Sequence, residues 1–80
     1  MITGGQIRAG RGYLKWSAGE LASRAGVGIQ TINRFEASEG VPPSRTETLM
    51  QVKVALEAAG IEFIGTPEDG PGIRLRRSTD

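Results

Sequence analysis

Gln30, Asn33 and Arg34 are the residues of this chain best equipped to recognise another molecule. The Gln and Asn amides each carry donors and an acceptor, and the Arg guanidinium presents a fork of donors. Each can therefore form paired hydrogen bonds with the edge of a nucleic-acid base. At about 100° per residue, Gln30 and Arg34 stand one helical turn apart with Asn33 beside them, while Ile32 and Phe35 point together the other way. The three polar residues thus form an outward ridge, with Ile29 at its leading edge. Covalent chemistry is poorly provided for. The chain has no cysteine and no histidine, so it has no disulfide, no thiolate or imidazole metal ligand, and no neutral-pH imidazole acid or base. It has no paired-carboxylate motif, and "GVGIQT" lacks the third glycine of the dinucleotide fingerprint. The expectation is a non-enzyme with no cofactor and no metal.

Two short helices must hold that ridge. Ser17 suits an N-cap, with Glu20 three residues on to complete a capping box. Trp16 and Leu21 occupy the two positions of a hydrophobic staple, and Leu21, Ala22 and Ala25 make an inward face. Gly26 fits the left-handed position that ends a helix, Val27 anchors the turn, and Gly28 caps the next helix without a side chain. That third helix is predicted over 29–37.

The flanks are also legible. Thr3 and Gln6 read as a capping box opening a first helix over about 4–14. Gly10 and Gly12 each cost about 1 kcal/mol in a helix interior, so this helix depends on tertiary contact, with Gly10 allowing a close neighbour. Pro42 and Pro43 make 38–44 a loop. Ser44 and Glu47 suggest a third capping box opening a helix over 45–59, with Leu49, Val52, Leu56 and Ala59 at helical spacing and Gly60 as its stop. The period then changes. "IEFI" (61–64) and "IRLR" (73–76) read as strands around the turn-rich "GTPEDGPG", giving a C-terminal hairpin.

Eighty residues make one domain. The net charge is only +1, but it is polarised: residues 1–34 carry +4, residues 35–72 carry −5 and residues 73–80 carry +2. A basic front and tip with an acidic back suits contact with a polyanion on one face, although chance clustering of solvated charges gives the same map. No apolar run approaches the roughly 18–20 residues of a membrane span, and "MITGGQIRAGRG" lacks the apolar core of a secretory signal. The expectation is a soluble, cytoplasmic, nucleoid-associated protein.

Helix, glycine turn and helix, with "ELASRAGV" leading into "TINRFE", resembles the helix-turn-helix of the Cro and phage-repressor type, the Xre family. The resemblance covers about residues 4–59. It implies a mainly α, lambda-repressor-like compact bundle of four to five helices with a helix-turn-helix, here followed by a short C-terminal β-hairpin. The expected organisation is a DNA-binding domain at 1–60, a hairpin at 61–77 and a disordered tail at 78–80. The resemblance implies a homodimer that binds a palindromic operator in double-stranded DNA, acting as a transcriptional repressor or autoregulator. It assigns base contacts to Gly28, Ile29, Gln30, Asn33 and Arg34, with burial of Ile29 beneath the second helix left open. Family members commonly have Ser or Thr where Gly28 stands and Gln where Ala18 stands. Backbone amides at the helix starts, including Ser17 and Ala18, would then meet phosphates instead. Arg11 and Glu36 match positions that often pair, and Arg11 is also a candidate phosphate contact. So are Arg8, Lys15, Arg24, Thr31 and Arg45, against the plainer reading that they are exposed surface residues.

The hairpin lies outside the family's common core. Ile61, Phe63, Ile64, Ile73 and Leu75 are expected to form a dimer interface, with packing inside one chain as the alternative. A hairpin that reaches DNA through its arginines, or that holds a protein partner as in an antitoxin or phage accessory factor, is the other reading.

Overall fold

A computed structural model describes residues 1–76. Residue 77 of the expected hairpin segment and the expected disordered tail at 78–80 lie outside the described residues. The elements are α1 (Gly4–Tyr13), α2 (Ala18–Ala25), α3 (Ile29–Ala37), α4 (Thr46–Ala58), β1 (Ile61–Thr66) and β2 (Asp69–Leu75).

The first two helices begin where side chains satisfy their free amides. At α1 the Thr3 hydroxyl accepts from the Gln6 amide while the Gln6 side chain accepts from the Thr3 amide, a complete capping box. At α2 only half of the expected box forms. The Ser17 hydroxyl accepts from the Glu20 amide at 3.0 Å, but the Glu20 carboxylate turns to Arg24 at 2.6 Å. An ion pair one turn along competes with the reach back to the cap. The box expected from Ser44 and Glu47 does not form. Arg45 is the N-cap of α4 with no side-chain cap bond, and the Ser44 hydroxyl donates to the Arg45 carbonyl at 3.1 Å.

Gly26 ends α2 in the left-handed region at φ 73°, which closes the α2–α3 turn as its type predicts. Gly4 has a different role. A Cβ there would collide with the carbonyl oxygens of Phe35 and Ser38, so the start of α1 lies directly against the end of α3. The Gly4 amide donates to the Gly40 carbonyl at 3.1 Å and ties in the loop beyond.

Ile7, Leu21, Ile32, Phe35, Val52, Leu56 and Ile61 are completely or almost completely buried, and Ile2, Ala22, Ala25 and Leu49 complete the core. The hairpin is one wall of it. Glu62 pairs with Arg74 and Phe63 with Ile73 in an antiparallel register, broken by a bulge between Ile64 and Thr66. The strands are longer than the expected 61–64 and 73–76 because the chain turns at Pro67 and Glu68, not across the whole glycine-rich stretch. Gly65, at φ 76°, lies so close to the Gly70 carbonyl that no side chain fits. Ile61, Phe63 and Ile73 face the helices.

This corrects the expected fold class. The described residues are 53 % helical, hold four helices and no fifth, and use the hairpin as part of the core. The fold is helix plus hairpin, not a mainly α, lambda-repressor-like bundle with a hairpin appended. Helical periodicity stops at Gly60, and the period-two residues Ile61, Phe63 and Ile73 close the core from there. One core therefore draws on the helices and on the hairpin residues Ile61, Phe63 and Ile73 together. Among the described residues, no helix is long and apolar enough to cross a membrane.

Candidate nucleic-acid interface

The ridge on α3 exists as a geometric unit. Ile32 and Phe35 are fully buried, and Gln30, Asn33 and Arg34 are exposed on the remaining surface. Ile29 is 49 % exposed and lies 3.6 Å from where a Gly19 side chain would begin. It therefore leans on the start of α2 while keeping half its surface outward. Gly28 has open space around it and an extended φ of −76°. Nothing steric requires glycine there, and α3 starts with its first amides uncapped by a side chain.

The helix is fixed from both flanks. On one side α2 packs against it through Leu21, Ala22 and Ala25. On the other, the Arg11 guanidinium makes a two-pronged contact with the Glu36 carboxylate at 2.6 and 2.9 Å. Its remaining nitrogen donates to the Trp16 carbonyl at 2.9 Å. One side chain therefore joins α1, the α1–α2 turn and the end of α3. The hydrogen bond from Arg11 to Glu36 raises the Arg11 pKa above its ordinary value; burial opposes this and the charge attraction reinforces it. Arg8 adds a second tie, donating to the Glu36 carbonyl at 2.6 Å, where a cation suits the negative end of α3.

The expected phosphate contacts separate into two groups. Lys15 and Arg45 are exposed and make no ion pair with another described residue. Arg8 is exposed but holds the Glu36 carbonyl. Arg11 makes the pairing contacts, with Glu36 and the Trp16 carbonyl. Arg24 pairs with Glu20 and lies 4.3 Å over the Trp16 ring, on the flank where α2 meets α4 rather than on the ridge. The Ser17 hydroxyl is the α2 cap, Ala18 packs against the core, and Thr31 is half-buried.

The residues expected at a dimer interface also divide. Ile61 is 2 % exposed and is spent inside its own chain, which corrects its assignment. Phe63 and Ile73 pack against the core, Ile64 is half-buried and Leu75 is exposed. Phe63 and Ile73, opposite one another in the register, share the inward side, whereas Leu75, opposite Ile61, stays exposed at the strand end.

One surface escaped the sequence reading. Met50, Val54 and Ala58 recur every four residues on a face of α4 adjacent to its buried line of Leu49, Val52 and Leu56. With Ala25 and Ala55 they floor an open groove of about 660 Å³ between α2 and α4. The second apolar register is legible in the sequence, but the spacing of Leu49, Val52 and Leu56 points to one buried face and leaves the other stripe unassigned.

No protein-family model matches this sequence, and no curated protein matches it.

Proposed function

We propose that this protein binds double-stranded DNA in a sequence-specific manner as a small transcriptional regulator, with α3 entering the major groove. The observation that carries this reading is the α3 ridge: Gln30, Asn33 and Arg34 exposed together on a helix whose opposite face is buried and whose end is clamped by Arg11. A rigid helix offering two amides and a guanidinium matches the donor and acceptor pattern of base edges. Exposed Lys15 and Arg45 supply positive charge for phosphates, which fix register without reading sequence. As a homodimer the protein would read an inverted repeat, its two α3 helices about 34 Å apart. Repression by occupying a promoter follows from binding alone.

The test is selection of bound sequences from random duplex DNA, followed by titration of the enriched sequence at several salt concentrations. Enrichment of an inverted repeat with half-sites about one helical turn apart supports both the base reading and the dimer. Binding that falls with salt and enriches no sequence leaves a phosphate-binding surface only, and the α3 reading fails.

A further inference from the structure

We infer that Ile29 reads the C5-methyl group of a thymine, so that the duplex this protein selects carries an A·T or T·A pair at the leading end of the α3 ridge. This rests on the base-reading part of the function proposed above and not on its dimeric part.

Ile29 is apolar where the rest of the ridge is polar. It opens α3, is 49 % exposed and is followed directly by exposed Gln30. No other large apolar side chain left exposed belongs to α3. A single exposed aliphatic is ordinary on a protein surface, but this one is held in place. Its Cδ1 lies 3.6 Å from where a Gly19 side chain would begin, so the tip of the side chain rests on the first turn of α2. Its branched Cβ leaves one strongly preferred χ1 in a helix. Both torsions are therefore set before any ligand arrives, and docking the exposed half costs little side-chain entropy. Gly28, just before it, has open space where a side chain would stand, so the N-cap of α3 does not shield that half.

The chemistry of the groove selects the partner. Base edges in the major groove present ring nitrogens, carbonyl oxygens and exocyclic amines, and the thymine C5-methyl is their apolar feature. An isoleucine neither donates to nor accepts from the polar edges, whereas a methyl group placed against it leaves water. The position of that thymine follows from Gln30, whose amide suits adenine N6 and N7. Consecutive Cα atoms are about 3.8 Å apart and base pairs stack about 3.4 Å apart. The thymine therefore belongs to the pair that Gln30 reads or to the next one.

The test uses the duplex enriched by selection, with each thymine of one half-site replaced in turn by deoxyuridine. That base loses the methyl group and keeps the hydrogen-bonding edge. The wild type is expected to bind about fourfold more weakly after replacement at one position, the effect of one buried methyl group. Ile29→Ala should bind the thymine and deoxyuridine duplexes equally at that position while keeping the base preference set by Arg34, which shows that its fold is intact. Ile29→Val keeps the branched Cβ and should keep the methyl dependence. A wild type indifferent to every replacement, or an enriched half-site with no thymine, overturns the inference and leaves the rest of the ridge reading standing. A methyl dependence undiminished in Ile29→Ala overturns it too, since another group then touches the thymine. If selection enriches no sequence at all, the base reading fails and the inference falls with it, an outcome distinct from any in the deoxyuridine series.

Discussion

The side-chain amide of Gln6 donates to the Gly72 carbonyl at 2.8 Å, joining the first turn of α1 to a strand 66 residues further along the chain. The same nitrogen donates to the Ile64 carbonyl at 3.1 Å, and the Gln6 oxygen accepts from the Thr3 amide at 2.8 Å. Gln6 is 5 % exposed, and it pins both strands of the hairpin to the cap of α1. Its removal should be expensive, since two part-buried carbonyls and a buried amide lose their partner together. Gln6→Ala is expected to lower unfolding free energy by about 3 kcal/mol, measured by urea denaturation. A change in midpoint too small to resolve would remove Gln6 from the account of why the hairpin stays docked.

Arg11 and Glu36 should behave as one unit. The pair is partly buried, at 24 % and 10 % side-chain exposure, so losing either partner leaves a charge that water replaces only in part. Arg11→Met and Glu36→Gln are each expected to cost about 2 kcal/mol, measured by urea denaturation, with a double variant costing less than their sum. The raised Arg11 pKa gives a pH sign as well. Stabilisation from a raised cation is complete below its unfolded value and is lost only as pH rises through the higher folded one. Stability should therefore show no decline attributable to Arg11 from neutral to moderately alkaline pH, checked by thermal melts across that range.

Lys15 holds φ at 60° with a side chain that prefers not to. A left-handed conformation costs a non-glycine residue about 1–2 kcal/mol. Lys15→Gly should therefore stabilise the protein by about 1 kcal/mol, read as a higher melting temperature. If Lys15 also meets a phosphate, the same variant should weaken duplex binding and reduce its salt dependence by about one charge. Stabilisation without any change in binding would leave Lys15 a turn residue only.

Gln30→Ala and Arg34→Ala should leave stability within about 0.5 kcal/mol of wild type, as exposed positions do. Their effect belongs to recognition. Each should relax base preference at its own position by about 1–3 kcal/mol, measured by repeating the duplex selection with each variant. An unchanged preference in both would take the ridge out of base reading.

Ile61→Ala should destabilise the single chain by about 2–5 kcal/mol, the usual cost of a truncated core aliphatic. A residue serving only a dimer interface would instead make stability depend on protein concentration. Unfolding measured over a wide concentration range separates the two, and a concentration-independent loss is expected.

The local part of this fold could be read from residue order alone. Thr3 with Gln6, Ser17 before Leu21, Gly26 after Ala25, and Gly60 after Ala59 are signals whose partners lie within one helical turn. Their meaning is carried by backbone geometry that any chain shares. The α3 ridge was legible for the same reason: a period of 3.6 residues puts Ile32 and Phe35 on one side and leaves Gln30, Asn33 and Arg34 on the other. Local signals failed where a nearby competitor existed, as when Glu20 took Arg24 in preference to the Ser17 amide.

What only the tertiary structure decided was which surfaces meet. Gln6 looked like half of a capping box because its local partner, Thr3, sits three residues away. Its second set of bonds, to Ile64 and Gly72, depends on the register of a hairpin bulged at Gly65. Ile61, Phe63 and Ile73 read from sequence as an outer interface, with an inner wall as the alternative, since alternation tells that one face is apolar but not what covers it; Ile61 is buried in its own chain. Gly4 gave no sign of its contact with the Phe35 and Ser38 carbonyls, because a close approach leaves no periodicity. Met50 and Val54 belonged to a second apolar stripe whose exposure was set by where α2 stopped covering α4. Sequence determined the helices and the ridge through short-range backbone rules. Burial is a long-range property, and it alone made the hairpin part of the core and left the α2–α4 groove open.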